Sequence, residues 1–518
     1  MITQCAVNLK KFRENLYRLF VKRKDAVMNL LDALTAHGHE HRSVVQLSEC
    51  AEFERQYSSI TDAISDGLTQ APWKKIMRLH YRHGRKQEDE SAHRFILDCT
   101  SNPRPFASKL ADRMISHSPN PAPGNKPICV GHSYSVLTLL PNDRMAENKH
   151  WLVPMSVQRV TSSQKGHEVG MEQLTDCMEE LRLTDKLCIS LGDSLYGTQF
   201  CRESAAKHEN LVHIFRLNSA RNVYLQPSQH DVKEKGRHKE FGEKMKLNAH
   251  ANLAQHDRED CLQWVTAKGK KLSVTLRCWD NSLLRGSRKF RASQHPFNLI
   301  QIIAKNPTGE SVFKRPLWLA VLGNRRHEIS LNDSYIHYKA RYDIEHFFRF
   351  GKSKLLMDKY QTPDVEHEAH WWNLCLTAYM LLFLGKEIVP KVPKVWERYL
   401  PEYKQIEDKK IVATPTQTQR GYSALLKTLG TPAKECVVRG IACGRAVNET
   451  QIKRMSHPIV FRNQPASSTI RPIVLGSEKT QSLSNPETIE TLRSVVQAQL
   501  RKMKIPVAEF AKMLLDTG

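Results

Sequence analysis

Tyr338, Arg341, Glu345 and Lys352 stand in one stretch, Tyr338-Lys-Ala-Arg-Tyr-Asp-Ile-Glu-His-Phe-Phe-Arg-Phe-Gly-Lys352, whose residue types could act on a phosphodiester. A carboxylate can hold a divalent metal, while guanidinium, ammonium and phenol groups can hold phosphate oxygens. Spacing decides whether they act together. Wound as one α-helix, the four fall at about 0°, −60°, −20° and −40°, an arc of roughly 60°. Arg349, at about +20°, joins them. Ile344, Phe347 and Phe350 fall away from that arc, on the side a helix buries. The competing reading is a solvated face with ordinary intrahelical ion pairs. Gly351 offers a place for the helix to end before Lys352.

One carboxylate does not make a metal site, so the elements that precede it matter. Phe95-Ile-Leu-Asp98-Cys-Thr100 is a short apolar run carrying an aspartate, followed by the turn-rich Ser101-Asn-Pro-Arg-Pro105. A carboxylate inside such a strand is costly unless it is ligated or paired. Strand-like runs follow at 134–140 and 151–160, then a helix at 171–183. A strand at 186–191 is closed by Gly192-Asp193, and a helix at 197–207 and a strand at 211–217 complete the series. Taken singly, each aspartate reads as a turn or capping residue. Three strands, helix, strand, helix, strand is the order of an RNase H-like fold, with Asp98 on its first strand and Asp193 ending its fourth.

From Asn218 to Gly323 this plan is interrupted. Residues 233–246 are charged and apolar-poor and read as a loop. Strand-like segments then run over 262–266, 272–279, 297–303 and 317–322, with a hairpin turn at 267–270. Upstream, Phe20, Val27, Leu30, Leu31 and Leu34 repeat at helical spacing, and a second periodic segment covers 45–64. This region serves equally as a DNA-end-binding bundle or as a helical cap. His37-Gly-His-Glu-His41 reads as an exposed loop in preference to a metal site. Downstream, the apolar run 371–384 is shorter than a membrane span and reads as a buried helix begun at Thr362-Pro-Asp364. A linker at 389–417 and a short helix at 421–429 follow. Arg439, Arg445, Lys453, Arg454 and Arg462 read as a DNA-tracking arm or, on equal terms, a solvated tail. Ile489, Leu492, Val496, Leu500 and Met503 mark a last amphipathic helix. His367-Glu-Ala-His370 lacks the i, i+4 histidine spacing that a zinc protease needs.

The 518 residues allow two to four domains, and 40% hydrophobic content argues for a folded chain. Lys and Arg outnumber Asp and Glu by 78 to 54, a net charge of +24. That excess fits a polyanion: DNA, ribosomal RNA or an acidic membrane. The N-terminus has no basic start with a long apolar run and does not read as a secretory signal. The twelve cysteines form no CxxC pair and read as reduced thiols of a cytoplasmic protein.

The spacing Tyr, two residues, Arg, three residues, Glu, six residues, Lys resembles the signature of a group of bacterial insertion-sequence transposases in the DDE (RNase H-like) superfamily. The surroundings of Asp98 and of Asp193, Gly192-Asp-Ser-Leu-Tyr196, resemble that family's patterns as well. The likeness covers roughly residues 90 to 385. It implies an α/β fold: an RNase H-like mixed sheet flanked by helices, interrupted by an inserted β-subdomain, with helical N-terminal and basic C-terminal regions. The expected divisions are 1–88 (helical), 89–218 (first part of the core), 219–323 (insertion), 324–388 (second part, with the glutamate helix) and 389–518 (linker, basic arm and final helix). The insertion would receive a flipped base, with Trp264, Trp279 and Trp318 as stacking candidates, although buried packing is the favoured reading of any one of them. Asp98, Asp193 and Glu345 would be catalytic and would bind two Mg2+ or Mn2+ ions. Tyr338, Arg341, Arg349 and Lys352 would hold DNA. The implied activity is cut-and-paste excision and strand transfer on double-stranded DNA, at inverted-repeat ends and target DNA. It would be carried out by a homodimer in a bacterial cytoplasm, at the nucleoid and away from membranes. The alternatives are a transposase-derived DNA-binding protein without catalysis, or an RNase H-like nuclease that cuts without joining.

Overall fold

The helical periodicity of the first 85 residues is realised in the computed structural model, which describes residues 2–85, 92–122, 126–141, 150–227, 239–248, 253–266, 269–287, 289–391, 412–437, 450 and 453–461. Helices α1 (Ile2–Leu19), α2 (Lys24–His37), α3 (Ser58–Asp62) and α4 (Trp73–Gly84) build this part. α2 is buried along its whole middle, with Val27, Leu30, Leu31 and Leu34 fully inside. The segment 45–64 is not one helix. It divides into a 3-10 turn (Val44–Glu49), α3 and a π turn (Ala63–Gly67). Its polar residues are drawn into tertiary pairs instead: Arg55 donates to Asn29, and Glu52 accepts from Ser423. The histidine run is likewise no exposed loop. His37 faces Glu40 and Glu52 at 2.9 and 2.8 Å, and His41 lies against Cys50.

The strand and helix order continues as β1 (His93–Pro103), β2 (Met114–Ala122), β3 (Lys126–Leu139), β4 (Val153–Val160), α5 (Gly166–Glu180) and β5 (Cys188–Gly192). It proceeds through α6 (Gln199–Ala206), β6 (Leu211–Leu217), β7 (Asn222–Tyr224), β8 (Lys244–Lys246), β9 (Arg258–Val265), β10 (Lys271–Ser282), β11 (Phe297–Lys305) and β12 (Leu317–Leu322). Helices α7 (Leu331–Ala340), α8 (Asp343–Lys354), α9 (Val365–Gly385) and α10 (Pro415–Leu429) close the described chain.

Two compact units are present, Met1–Thr100 with Ser133–Glu449, and Ser101–His132 with Thr450–Gly518. In the first, one mixed sheet runs β4-β3-β1-β5-β6-β12-β11-β10-β9. β1, β5 and β6 are parallel neighbours, while β3 and β4 pair antiparallel. Apolar residues fill both faces of the parallel strands, as they must where helices cover both sides. This is the RNase H-like arrangement. Strands β9–β12, over the expected insertion, extend the sheet itself, because β12 pairs with β6 from Trp318 opposite Leu217 to Leu322 opposite His213. β9 and β10 pair antiparallel, and of the expected turn at 267–270, Gly269 stands at φ +75° and the Thr266 N–H donates to Lys270 O, while residues 267 and 268 lie outside the described residues. Part of the expected loop at 233–246 is a strand: β8 pairs with β7, burying Met245.

The buried helix expected at 371–384 is the centre of α9, capped by Asp364, with Trp371 and Trp372 fully inside. α10 starts six residues before the expected short helix, because Thr414 and Gln417 form a capping box ahead of Pro415. Its buried Tyr422 and Leu425 make it a core element. No helix among the described residues is long and apolar enough to cross a membrane.

In the second unit, β2 pairs with the first half of β3, and Val460 bridges Met114. Pro119 and Pro121 disguise β2 as loop in the sequence. Arg113 crosslinks this unit by donating to the carbonyls of Arg104, Pro105 and His457. Arg439, Arg445, Arg462 and the final amphipathic helix lie outside the described residues; Lys453 and Arg454 are exposed.

Candidate active site

Register brings the two aspartates together. The parallel β1–β5 register ends at Ile96 opposite Leu191; carried two residues further it sets Asp98 level with Asp193, and the two carboxylates act on each other electrostatically. Adjacent strands lie about 4.8 Å apart, and the carboxyl ends of parallel strands are where such sheets place their ligands. Each aspartate is also held by a backbone N–H at 2.8 Å: Cys99 donates to Asp98, and Leu195 donates to Asp193. Asp193 thus does cap a 3-10 turn (Ser194–Gly197). Tyr196 packs against Gly192 and Gly170, where a Cβ would collide with its ring or hydroxyl, and this fixes the turn that carries Asp193.

The expected continuous helix through Tyr338–Lys352 is two helices. α7 ends at Ala340 and α8 begins at Asp343. Across the junction the N–H groups of Arg341, Tyr342, Ile344 and Glu345 bond three residues back, to Tyr338, Lys339, Arg341 and Tyr342. Three-residue turns wind tighter than the α-helix, so the single-helix angles do not hold past Ala340. Gly351 does not end α8, which runs on to Lys354.

Tyr338 is buried, 8% exposed, with the Arg341 guanidinium 5.7 Å from its ring centre. Arg341 forks between two carboxylates: Nη1 is 3.4 Å from Asp98 Oδ2, and Nη2 is 4.0 Å from Glu345 Oε1. Lys352 donates to Thr100 Oγ1 at 2.8 Å. Arg349 is exposed on α8 and adds its charge beside His346. Asp98, Asp193, Arg341 and Glu345 therefore share one electrostatic neighbourhood, with Tyr338 beneath and Lys352 tied to the aspartate strand. Burial raises Asp98 to about 6; Arg341 opposes this, and Asp193 and Glu345 add to it. Burial also works against the Arg341 charge, but Tyr338, Asp98 and Asp193 outweigh it and hold its pKa up.

Two residues at this centre carry no assigned role from sequence. Thr100 shares a strand face with Asp98, since side chains two apart project alike. Arg216 is the one exposed residue of β6, and its charge reaches the Tyr338 hydroxyl. Strand alternation marks both. Behind Glu345, the buried Asp343 bonds His150 at 2.7 Å and the His150 ring stacks on His346 at 4.3 Å, steadying the first turn of α8. Trp279 and Trp318 are buried against each other and cannot receive a base. Trp264 is partly exposed and packs edge-on to Tyr335.

An all-oxygen donor set of three carboxylates suits Mg2+ or Mn2+. The raised Asp98 fits a cation, because its charge is under-compensated. As they stand, however, no three His, Cys, Asp or Glu side chains among the described residues are gathered closely enough to hold a metal ion. Arg341 stands between two of the carboxylates instead.

An RNase H-like sheet with paired aspartates at its carboxyl edge defines a class of nucleic-acid-cutting enzymes. The chain matches the family model for DDE superfamily endonucleases over residues 15–277, half of its length, and belongs to that family. The matched stretch contains Asp98 and Asp193 and ends ahead of Glu345. No curated protein matches the chain. Membership establishes transposase- or nuclease-type catalysis on DNA, in a superfamily that generally uses divalent metal ions.

Proposed function

We propose that this chain is the transposase of a bacterial insertion sequence in the Tyr-Arg-Glu-Lys group, excising its element by cut-and-paste and joining it to target DNA. The observation that carries the reading is Arg341 reaching toward both Asp98 and Glu345, with Asp193 in electrostatic reach of Asp98 and Lys352 bonded to the Asp98 strand. Asp98, Asp193 and Glu345 would hold the divalent ions. When bound, such ions activate the attacking oxygen and stabilise the leaving 3′-oxygen. Arg341 and Lys352 hold phosphate oxygens at the element's end. Tyr338 lies buried beneath, its ring 5.7 Å from the Arg341 guanidinium. Arg349 and Arg216 extend the cationic surface on either side. The net charge of +24 supports a double-stranded DNA partner, both inverted-repeat ends and target. A homodimer at the nucleoid would bring the two ends together.

Asp98→Asn, Asp193→Asn and Glu345→Gln each remove a charge at nearly constant shape. Each variant is expected to bind end DNA and to lose Mg2+-dependent cleavage and joining, measured on labelled element ends. Wild-type cutting by any one of them removes that residue from the site. Cleavage without any strand transfer in the wild type would favour a nuclease that cuts without joining.

A further inference from the structure

Arg341 holds its two carboxylates loosely. Its separations of 3.4 and 4.0 Å are long for charge-assisted bonds, which run at about 2.7–2.9 Å. Its Nε is buried with no hydrogen-bond partner. Arg13 shows the contrast, forking onto the single carboxylate of Asp32 at 2.5 and 2.8 Å. Arg13 is locked; Arg341 is spread between two acids and saturates neither.

A divalent ion shared by Asp98 and Glu345 would need oxygens from both at about 2.0–2.1 Å. That requires the carboxylates to close on the gap that the guanidinium faces. The guanidinium and a divalent ion compete for the same two carboxylates. Resting on the metal role proposed above, we infer that Arg341 is an exchangeable counter-ion: it neutralises Asp98 and Glu345 in the DNA-free protein and leaves them for a DNA phosphate when metal binds. The swap couples the two ligands. A phosphate that draws Arg341 away frees the carboxylates, and metal that captures the carboxylates releases the guanidinium. Linkage makes that coupling reciprocal. The DNA-free enzyme is thereby kept poorly loaded with metal, and cutting is confined to bound ends.

The test uses the full chain without DNA, titrated with Mn2+ alone and followed by the paramagnetic resonance of free Mn2+. Arg341→Met keeps the aliphatic stem over Tyr338 and removes the charge. It is expected to tighten Mn2+ binding about tenfold, within the usual range of coupling between sites. Arg341→Lys keeps a charge that cannot fork and should give a smaller gain in the same direction. Adding Asp98→Asn to Arg341→Met should erase the gain. Unchanged or weaker Mn2+ binding in both Arg341 variants, with Asp98→Asn still weakening the wild type, overturns the exchange and leaves the metal site standing. If Arg341→Met does not fold, Arg341→Lys decides alone. If Asp98→Asn, Asp193→Asn and Glu345→Gln all bind Mn2+ as the wild type does, the metal reading itself has failed.

Discussion

Lys352 and Thr100 meet through one 2.8 Å hydrogen bond from α8 to the strand that bears Asp98. A bond from a charged donor is worth about 1.5–3 kcal/mol, and partial exposure sets this one at the low end. Thr100→Val keeps the shape and removes the acceptor, so cleavage should fall roughly tenfold. Lys352→Ala also removes the charge that holds the phosphate and should cost about 2–4 kcal/mol in cleavage. If Thr100 acts by aiming Lys352, the double variant is no worse than Lys352→Ala, and the divalent-metal titration of cleavage stays at wild type. Additive losses would mean that Thr100 has a separate role. At this scale the sequence showed which carboxylates to compare, because Asp98 interrupts an apolar run and Asp193 closes one. It hid the roles of Thr100 and Arg216. A hydroxyl or a guanidinium on a strand looks the same whether it faces solvent or a carboxylate, and only the pairing of β5 with β1 and with β6 tells which.

At the scale of elements, strands were legible wherever apolar residues ran unbroken, as in β5, β6, β11 and β12. β2 was not, since its prolines and polar residues imitate a loop. The break between α7 and α8 was equally hidden: helical periodicity survives a tightened turn, and nothing in Ala340-Arg341-Tyr342 forbids an α-helix. The segment around Glu52 shows how tertiary pairing overrides periodicity. Glu52 faces His37 of α2 at 2.8 Å and accepts from Ser423 of α10. Its ion pair with His37, aided by Glu40 and opposed by burial, raises that histidine to about 9. Burial works against the Glu52 charge, but His37 and Ser423 prevail and lower it to about 2. A histidine with a raised folded-state pKa contributes stability that is complete below its unfolded value of 6.5 and lost as pH rises through about 9. The lowered carboxyl contributes fully above 4.5 and loses its part as pH falls toward about 2. Urea unfolding should therefore show the wild type losing stability from pH 6.5 to 9, with a flatter decline in Glu52→Gln. Parallel curves for the two would mean that the pair does not bind these helices together.

Across the whole molecule, the net charge of +24 suits a polyanionic partner. The expected arm contributes Arg439, Arg445, Lys453, Arg454 and Arg462. Lys453 and Arg454 are exposed in a segment whose neighbours His457 and Val460 bond Arg113. Deleting the chain from Gly421 would not isolate the arm, because α10 buries Tyr422 and Leu425 in the core. Substituting the five cations by Ala in the full chain leaves that core alone. Each DNA phosphate that the variant no longer neutralises should flatten the slope of log affinity against log salt by about 0.9. If the arm tracks DNA, the five-fold variant binds more weakly at low salt, its slope is shallower by several units, and its cleavage at saturating DNA is unchanged. The last point separates holding DNA from cutting it, since the Asp98 site is untouched. An unchanged slope makes these residues a solvated tail and leaves the electrostatic work to the cations around Arg341 and Lys352.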